Sequence, residues 1–183
     1  QAAAGDALQF GTLQAGGNIV GTSQRDSING TQAAAAGSID LDAAKDVRVT
    51  NLHSGTDTRV VSGGNADIAT ATVGGVLSLS AGGDAHLAQG HVSGASNFDA
   101  QGALAIDALT GGGTLTATSG GATTLGNVVL TAGDAHVTAG TDLAVHTLDV
   151  SLIFTYSCWY GLYFFILFFL MIRRPPRSTL FPY

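Results

Sequence analysis

The first 150 residues of this 183-residue chain contain no proline, cysteine, methionine, tryptophan or glutamate, and their only aromatic residues are Phe10 and Phe98. Without cysteine there is neither a disulfide framework nor a thiolate metal site, so any core must come from packing alone. With so few large side chains a single layer buries little apolar area, and only repetition of a small unit accumulates enough. Cations are scarce as well. Arg25, Lys45, Arg48 and Arg59 stand against thirteen aspartates, a formal charge of 4 − 13 = −9 for this region. That balance excludes the basic face nucleic acid demands, so no nucleic-acid partner is expected, and it suits an acidic, solvated extracellular rod. Helical patterning is missing too. No stretch of residues 1–150 keeps apolar residues at i, i+3 and i+4 among good helix formers, and the alanine-rich run at 32–36 is too short.

What remains is glycine and a rhythm. Gly64, Gly83, Gly102, Gly121 and Gly140 recur at a fixed interval of nineteen. Four residues after each glycine stand Ile68, Leu87, Ile106 and Leu125, with Val145 one step late, and Val49 one period earlier. A second column, fifteen residues after the start, holds Leu41, Val60, Leu79, Phe98 and Ala117, with Val137 again one step late. A third, at seven, holds Leu52, Ala71, Leu109 and Val128, and Gly90 interrupts it. A fixed period near twenty predicts a solenoid in which each repeat is one coil.

Within a unit, apolar residues alternate with small polar ones, as in Val76-Leu77-Ser78-Leu79 and Thr114-Leu115-Thr116. Period two over four or five residues predicts two or three short strands per coil, with a second turn near Gly37, Gly55, Gly75, Gly94 and Gly113. Such strands close their hydrogen bonds only by pairing with the coils above and below. The expectation is an all-β, right-handed parallel β-helix over residues 1–150, with the strongest repeats at 45–148, the hand following from the preference of parallel crossovers. Strands stacked about 4.8 Å apart make roughly eight coils a rod on the order of 40 Å long.

The candidates for chemistry are His53, His86, His91, His136, His146 and the aspartates. Asp84-Ala85-His86 recurs as Asp134-Ala135-His136, and strand residues two apart share a face, so each triplet offers a local hydrogen-bonded pair. The copies lie fifty residues apart, which is not a multiple of nineteen, so they do not share a column; the aspartates are read as turn residues and the histidines as exposed strand residues. Gly63–Asp67 and Gly82–Asp84 match calcium-binding nonapeptide turns in glycine content alone. Gly111-Gly112-Gly113 lacks the lysine and the helix of a phosphate cradle, and Asn29-Gly30-Thr31 fits the N-glycosylation pattern without indicating an enzyme. No catalytic, cofactor-binding or metal-ligating residue is assigned, and no cofactor is expected. Carbohydrate-acting β-helix enzymes mount acids and bases on long loops. From Lys45 to Gly140 no insertion exceeds one or two residues, so enzymatic activity is not expected.

Asn127-Val-Val-Leu-Thr-Ala-Gly-Asp-Ala-His-Val-Thr-Ala-Gly140 and Val76-Leu-Ser-Leu-Ser-Ala-Gly-Gly-Asp-Ala-His-Leu-Ala88 resemble the recurring phrase of filamentous haemagglutinin repeats. The resemblance implies a shaft segment of a large Gram-negative adhesin, secreted or displayed at the cell surface, with a role in cell adhesion and virulence. It implies two partners: an outer-membrane transporter of two-partner secretion, and a receptor or glycan on a host or neighbouring cell. Related members form the sticks of contact-dependent inhibition toxins, which is the alternative, ahead of a carbohydrate-acting enzyme and of a membrane-anchored surface protein. The chain begins at Gln1 without an initiator methionine or a charged-then-apolar leader and is read as an internal fragment of something longer, and nothing in it matches the family's secretion domain.

Composition changes abruptly at about 150. Residues 151–183 hold eleven of the thirteen aromatics, all three prolines, Cys158, Trp159 and Met171. Residues 152–172 are long and apolar enough to span a bilayer, and Arg173-Arg174 follow. Residues 171–183, however, match the translation of a common short-read sequencing adapter without a gap, and 151–170 read like thymine-rich non-coding DNA. The tail is therefore expected to be non-native, helical or disordered if made, and no genuine membrane span is expected.

Overall fold

The computed structural model describes residues 1–150 and the backbone of a strand at Phe154–Cys158. The expected bilayer-length and adapter-like stretches otherwise lie outside the described residues. Among the described residues there is no helix. Short strands alternate with longer ones along the chain and sort into two all-parallel sheets. Nine short strands, from Ala2–Ala4 to Phe154–Cys158, form one; eight longer strands, from Leu8–Ala15 to Leu143–Val150, form the other. One short and one long strand make a coil, giving eight coils and the first strand of a ninth. The chain is a parallel β-solenoid.

A representative coil shows why these residues fold this way. In Leu77–Ala81 the residues Leu77, Leu79 and Ala81 point inward while Ser78 and Ser80 stay nearer solvent, the alternation of a half-buried strand. The long strand Ala85–Val92 begins likewise, with Ala85 and Leu87 buried, but its next buried residues are Gly90 and Val92. The parity changes at Ala88 and Gln89. Pairing skips there too: Leu87 faces Ile106 and Gln89 faces Ala108, while Ala88 takes no place in the ladder. Each long strand is thus two short ones joined at a corner, which gives the coil three sides around a single core.

The three apolar columns are the core. Val49, Ile68, Leu87, Ile106 and Leu125 stack in register and are buried, and Leu125 faces Val145 across a step of twenty. Leu41, Val60, Leu79, Phe98, Ala117 and Val137 form the second stack on the short-strand sheet. Burying a Leu or Ile is worth about 1.5–3 kcal/mol, so stability accumulates coil by coil. The third column explains its own interruption. A Cβ on Gly90 would lie 2.7 Å from Leu109 Cδ1 and 2.9 Å from Leu87 Cδ2, so those two leucines fill the space a side chain would take. Gly111 yields in the same way to Leu130, whose Cδ2 is 2.7 Å from the missing Cβ position.

The late steps at Val137 and Val145 arise at one turn. Thr131, Ala132, Gly133 and Asp134 join Leu130 to Ala135 where the preceding coil has only Gly112, Gly113 and Thr114. Gly133 is the one glycine of positive φ, 83°, among the described residues. The inserted residue shifts the next turn by one position, which corrects the last stroke of the glycine beat. The Gly140 amide donates to Ser119 O, and Thr141, not Gly140, donates to Gly121 O. Gly140 therefore stands over Gly120 although it comes nineteen residues after Gly121. A second four-residue turn, Gln24–Ser27, lengthens an early coil where its neighbours use three residues.

The turns are pinned as firmly as the strands. Backbone bonds run Gly121 to Gly102, Gly102 to Gly83, Gly83 to Gly64 and Gly64 to Lys45, at 2.8–2.9 Å. Buried hydroxyls pair with each other at two turns, Ser54 with Thr58 and Ser119 with Thr123, both at 2.7 Å. At the composition break the short-strand sheet does not stop. Phe154–Cys158, expected in an apolar tail of helical preference, pairs in register with Ala135–Ala139. Its Phe-Thr-Tyr-Ser-Cys sequence alternates with period two, and an open parallel edge selects that pattern as a strand.

Candidate functional site

The turn residues Asn18, Asp46, Asp57, Asn65 and Asp84 are committed to the backbone. Asp46 Oδ1 accepts from Asn65 N at 2.9 Å, Asn65 Oδ1 from Asp84 N at 2.8 Å, and Asp84 Oδ1 from Ala103 N at 2.8 Å. Ser27 Oγ begins the series by accepting from Asp46 N at 3.3 Å. On the other turn Asn18 accepts from Ser38 N and Asp57 from Val76 N. Each side chain satisfies an amide one coil further on, which is why Gly-Asp and Gly-Asn recur as a unit. The glycine ahead of each amide that donates to an aspartate or asparagine in this way supplies the room. A Cβ on Gly64, Gly83 or Gly102 would collide with the Oδ1 of Asp46, Asn65 or Asp84.

The ladder engages Asp84 as a turn residue, so the local pair that the triplet offered does not form. His86 bonds instead to residues of the coils on either side. Its Nδ1 lies 3.0 Å from Asp67 Oδ1 and its Nε2 3.1 Å from Asp107 Oδ2, so one imidazole joins the strands Ala66–Val73, Ala85–Val92 and Leu104–Gly111. Partial burial works against the charged ring, but the bonds to Asp107 and Asp67 and their charges outweigh it, and the His86 pKa is raised above its ordinary value. Spacing carried part of this signal, since Asp67 precedes His86 by 19 residues and so shares its column. Asp107 was harder to foresee. It lies 21 residues on, at the corner of the next coil, and reaches back diagonally.

The other candidates do not assemble. His53 and His91 lie in one column with Thr72 between them, His136 is on the short-strand sheet, and His146 sits at a corner of the strand Leu143–Val150. His136 is on the short-strand sheet and His86 on the long-strand sheet, so the two triplets share no column, and Asp134 and Asp84 stand in the turns before those strands. Gly112 and Gly113 form a tight turn between two strands. Among the described residues no group of three or more His, Cys, Asp or Glu is arranged to hold a metal ion, and no helix is long and apolar enough to cross a membrane.

Two surface features complete the exterior. A shallow open groove of about 530 Å³ crosses the first four coils, lined by the column Gln9, Asn29, Arg48 and Asp67 and by Thr31 and Thr50 at the corner. Exposed ion pairs tie neighbouring coils, Arg59 to Asp40 at 2.8 Å and Lys45 to Asp26 at 3.3 Å. The bond from Lys45, with a second from the Ser27 amide, holds the Asp26 carboxyl below the usual carboxylate range. No family model, no curated protein and no solved structure matches the chain.

Proposed function

We propose that residues 1–150 are a segment of the shaft of a secreted or surface-displayed bacterial exoprotein of the filamentous haemagglutinin kind, working as a rigid spacer with an adhesive flank. One observation carries this: among the described residues strands stack in register, and no turn between them is longer than four residues. Such an exterior has no protruding loops in which to gather acids and bases around a cleft, and a lateral surface of repeating small polar side chains. The partners that belong to this proposal are an outer-membrane transporter for export and a receptor or glycan on another cell.

The test is a pair of assays on the purified chain. Fluorescently labelled protein is expected to bind cultured epithelial or bacterial cells saturably, and to release no reducing ends from a panel of surface polysaccharides. Measurable glycan turnover would replace the adhesive shaft with a carbohydrate-acting enzyme. Absence of any saturable binding would remove the adhesive flank.

A further inference from the structure

We propose that His86 is a proton-operated clasp that bonds to the coils on both sides of its own in mildly acidic surroundings and gives up one of those two bonds as the solution turns alkaline. The donor inventory leads to this directly. Both partners are carboxylates, Asp67 below and Asp107 above, and an ionised carboxylate only accepts hydrogen bonds. A neutral imidazole has one N–H, so it can satisfy one carboxylate while its other nitrogen presents a lone pair to the second. Only the imidazolium donates at both ends, and both nitrogens lie within hydrogen-bond distance, at 3.0 and 3.1 Å. The geometry is that of the protonated ring.

The surrounding groups leave this pair of carboxylates in control. On its own strand, Asp84 is held by the Ala103 amide, and His91 lies beyond the corner. On the strand two coils below, the Arg48 guanidinium is bonded to Asp46 at 3.1 Å. Directly above His86 in register is Ala105, which leaves Asp107 as the acceptor on that side.

The direction of the pH effect comes from linkage. The folded-state pKa of His86 lies above the unfolded one. Its contribution is therefore fully present below the unfolded value, ordinarily about 6.5, and is lost as pH rises through the folded value. Side chains of the triad are all partly exposed, so salt weakens the clasp.

Two measurements on the full chain test this independently of the adhesive role. In an NMR titration, the His86 imidazole is expected to change charge at higher pH in the folded chain than in urea, and to move back toward the urea value in the double variant Asp67→Asn/Asp107→Asn. In denaturant titrations at about pH 5.5 and about pH 8, on either side of the ordinary histidine range, the wild-type midpoint is expected to fall further between the two than that of His86→Gln. A His86 midpoint at or below its urea value, a midpoint indifferent to both Asn substitutions, or equal falls for wild type and His86→Gln would each overturn the clasp.

Discussion

Glycine serves two different purposes in two parts of this rod. Between Val47 and Leu130 the register steps are nineteen residues, and Gly64, Gly83 and Gly102 are required by the coil beneath, whose Asx oxygen lies where a Cβ would be. None of these three has a positive φ. At Gly133 the step is twenty, and the backbone itself enters the left-handed region at φ 83°. A Cβ there would also lie 2.5 Å from Thr114 N. The first case is a rule of packing between coils, the second a rule of conformation within one. A solenoid can therefore absorb an extra residue without losing register, provided the turn that receives it can bend. The turn Gln24–Ser27 bends without such a glycine. There the Asp26 carboxylate accepts from Ser27 N at 2.9 Å and pairs with Lys45.

Substituting Gly133 by valine should have the largest effect. The left-handed penalty for a β-branched residue adds to overlap with the backbone of the coil below, for a cost of about 3 kcal/mol. Deleting Ala132 should cost less. It leaves Thr131-Gly133-Asp134 as a three-residue turn with glycine in the middle, the pattern of Ala36-Gly37-Ser38 and Ser93-Gly94-Ala95. Urea unfolding monitored by circular dichroism decides between them: a deletion more damaging than the valine would mean that the insertion is structural rather than tolerated.

Gly102→Ala probes the packing rule in the regular coils. A cost of about 2 kcal/mol is expected, because the new methyl meets Asp84 Oδ1 and the backbone of Gly83. Asp84→Ala should cost about 1 kcal/mol by stranding the Ala103 amide. The double variant should cost at least about 0.5 kcal/mol less than the sum, since the two share one contact. Strict additivity would show that the glycine beat has a cause other than the ladder.

The same distinction explains which features were legible in the amino acids. Columns such as Leu79 over Val60 depend only on counting nineteen, and side-chain alternation fixes which way they face. The late steps at Val137 and Val145 were visible in the count, yet the count alone could not say which residue was extra. Gly140 kept the beat numerically while losing it physically, because a glycine in sequence looks the same whether it stands over Gly120 or Gly121. The His86 bridge was hidden for a related reason. Local spacing pointed to Asp84, two residues away, but the backbone ladder had already engaged that carboxylate, and the true partners belong to other coils. One of them sits at a corner where the strand changes parity. Corners are set by three-dimensional closure of the coil, and no single period in the sequence encodes them.

The smallest effect should come from Gly17, which precedes Asn18 in a turn just as Gly64 precedes Asn65. A Cβ placed on Gly17 meets nothing within 4 Å apart from its own neighbours along the chain. Its φ is not positive either. Both reasons for glycine are therefore absent at this position, although the local sequence Gly-Gly-Asn is the same as at Gly63-Gly64-Asn65. Gly17→Ala should change the stability read from urea unfolding by no more than about 0.5 kcal/mol, and lower unfolded-state entropy favours a slight gain. A loss at Gly17 comparable with that at Gly102 would mean that the Gly-Asx unit is required by the turn itself, and the contrast between coils would then rest on Gly133 alone.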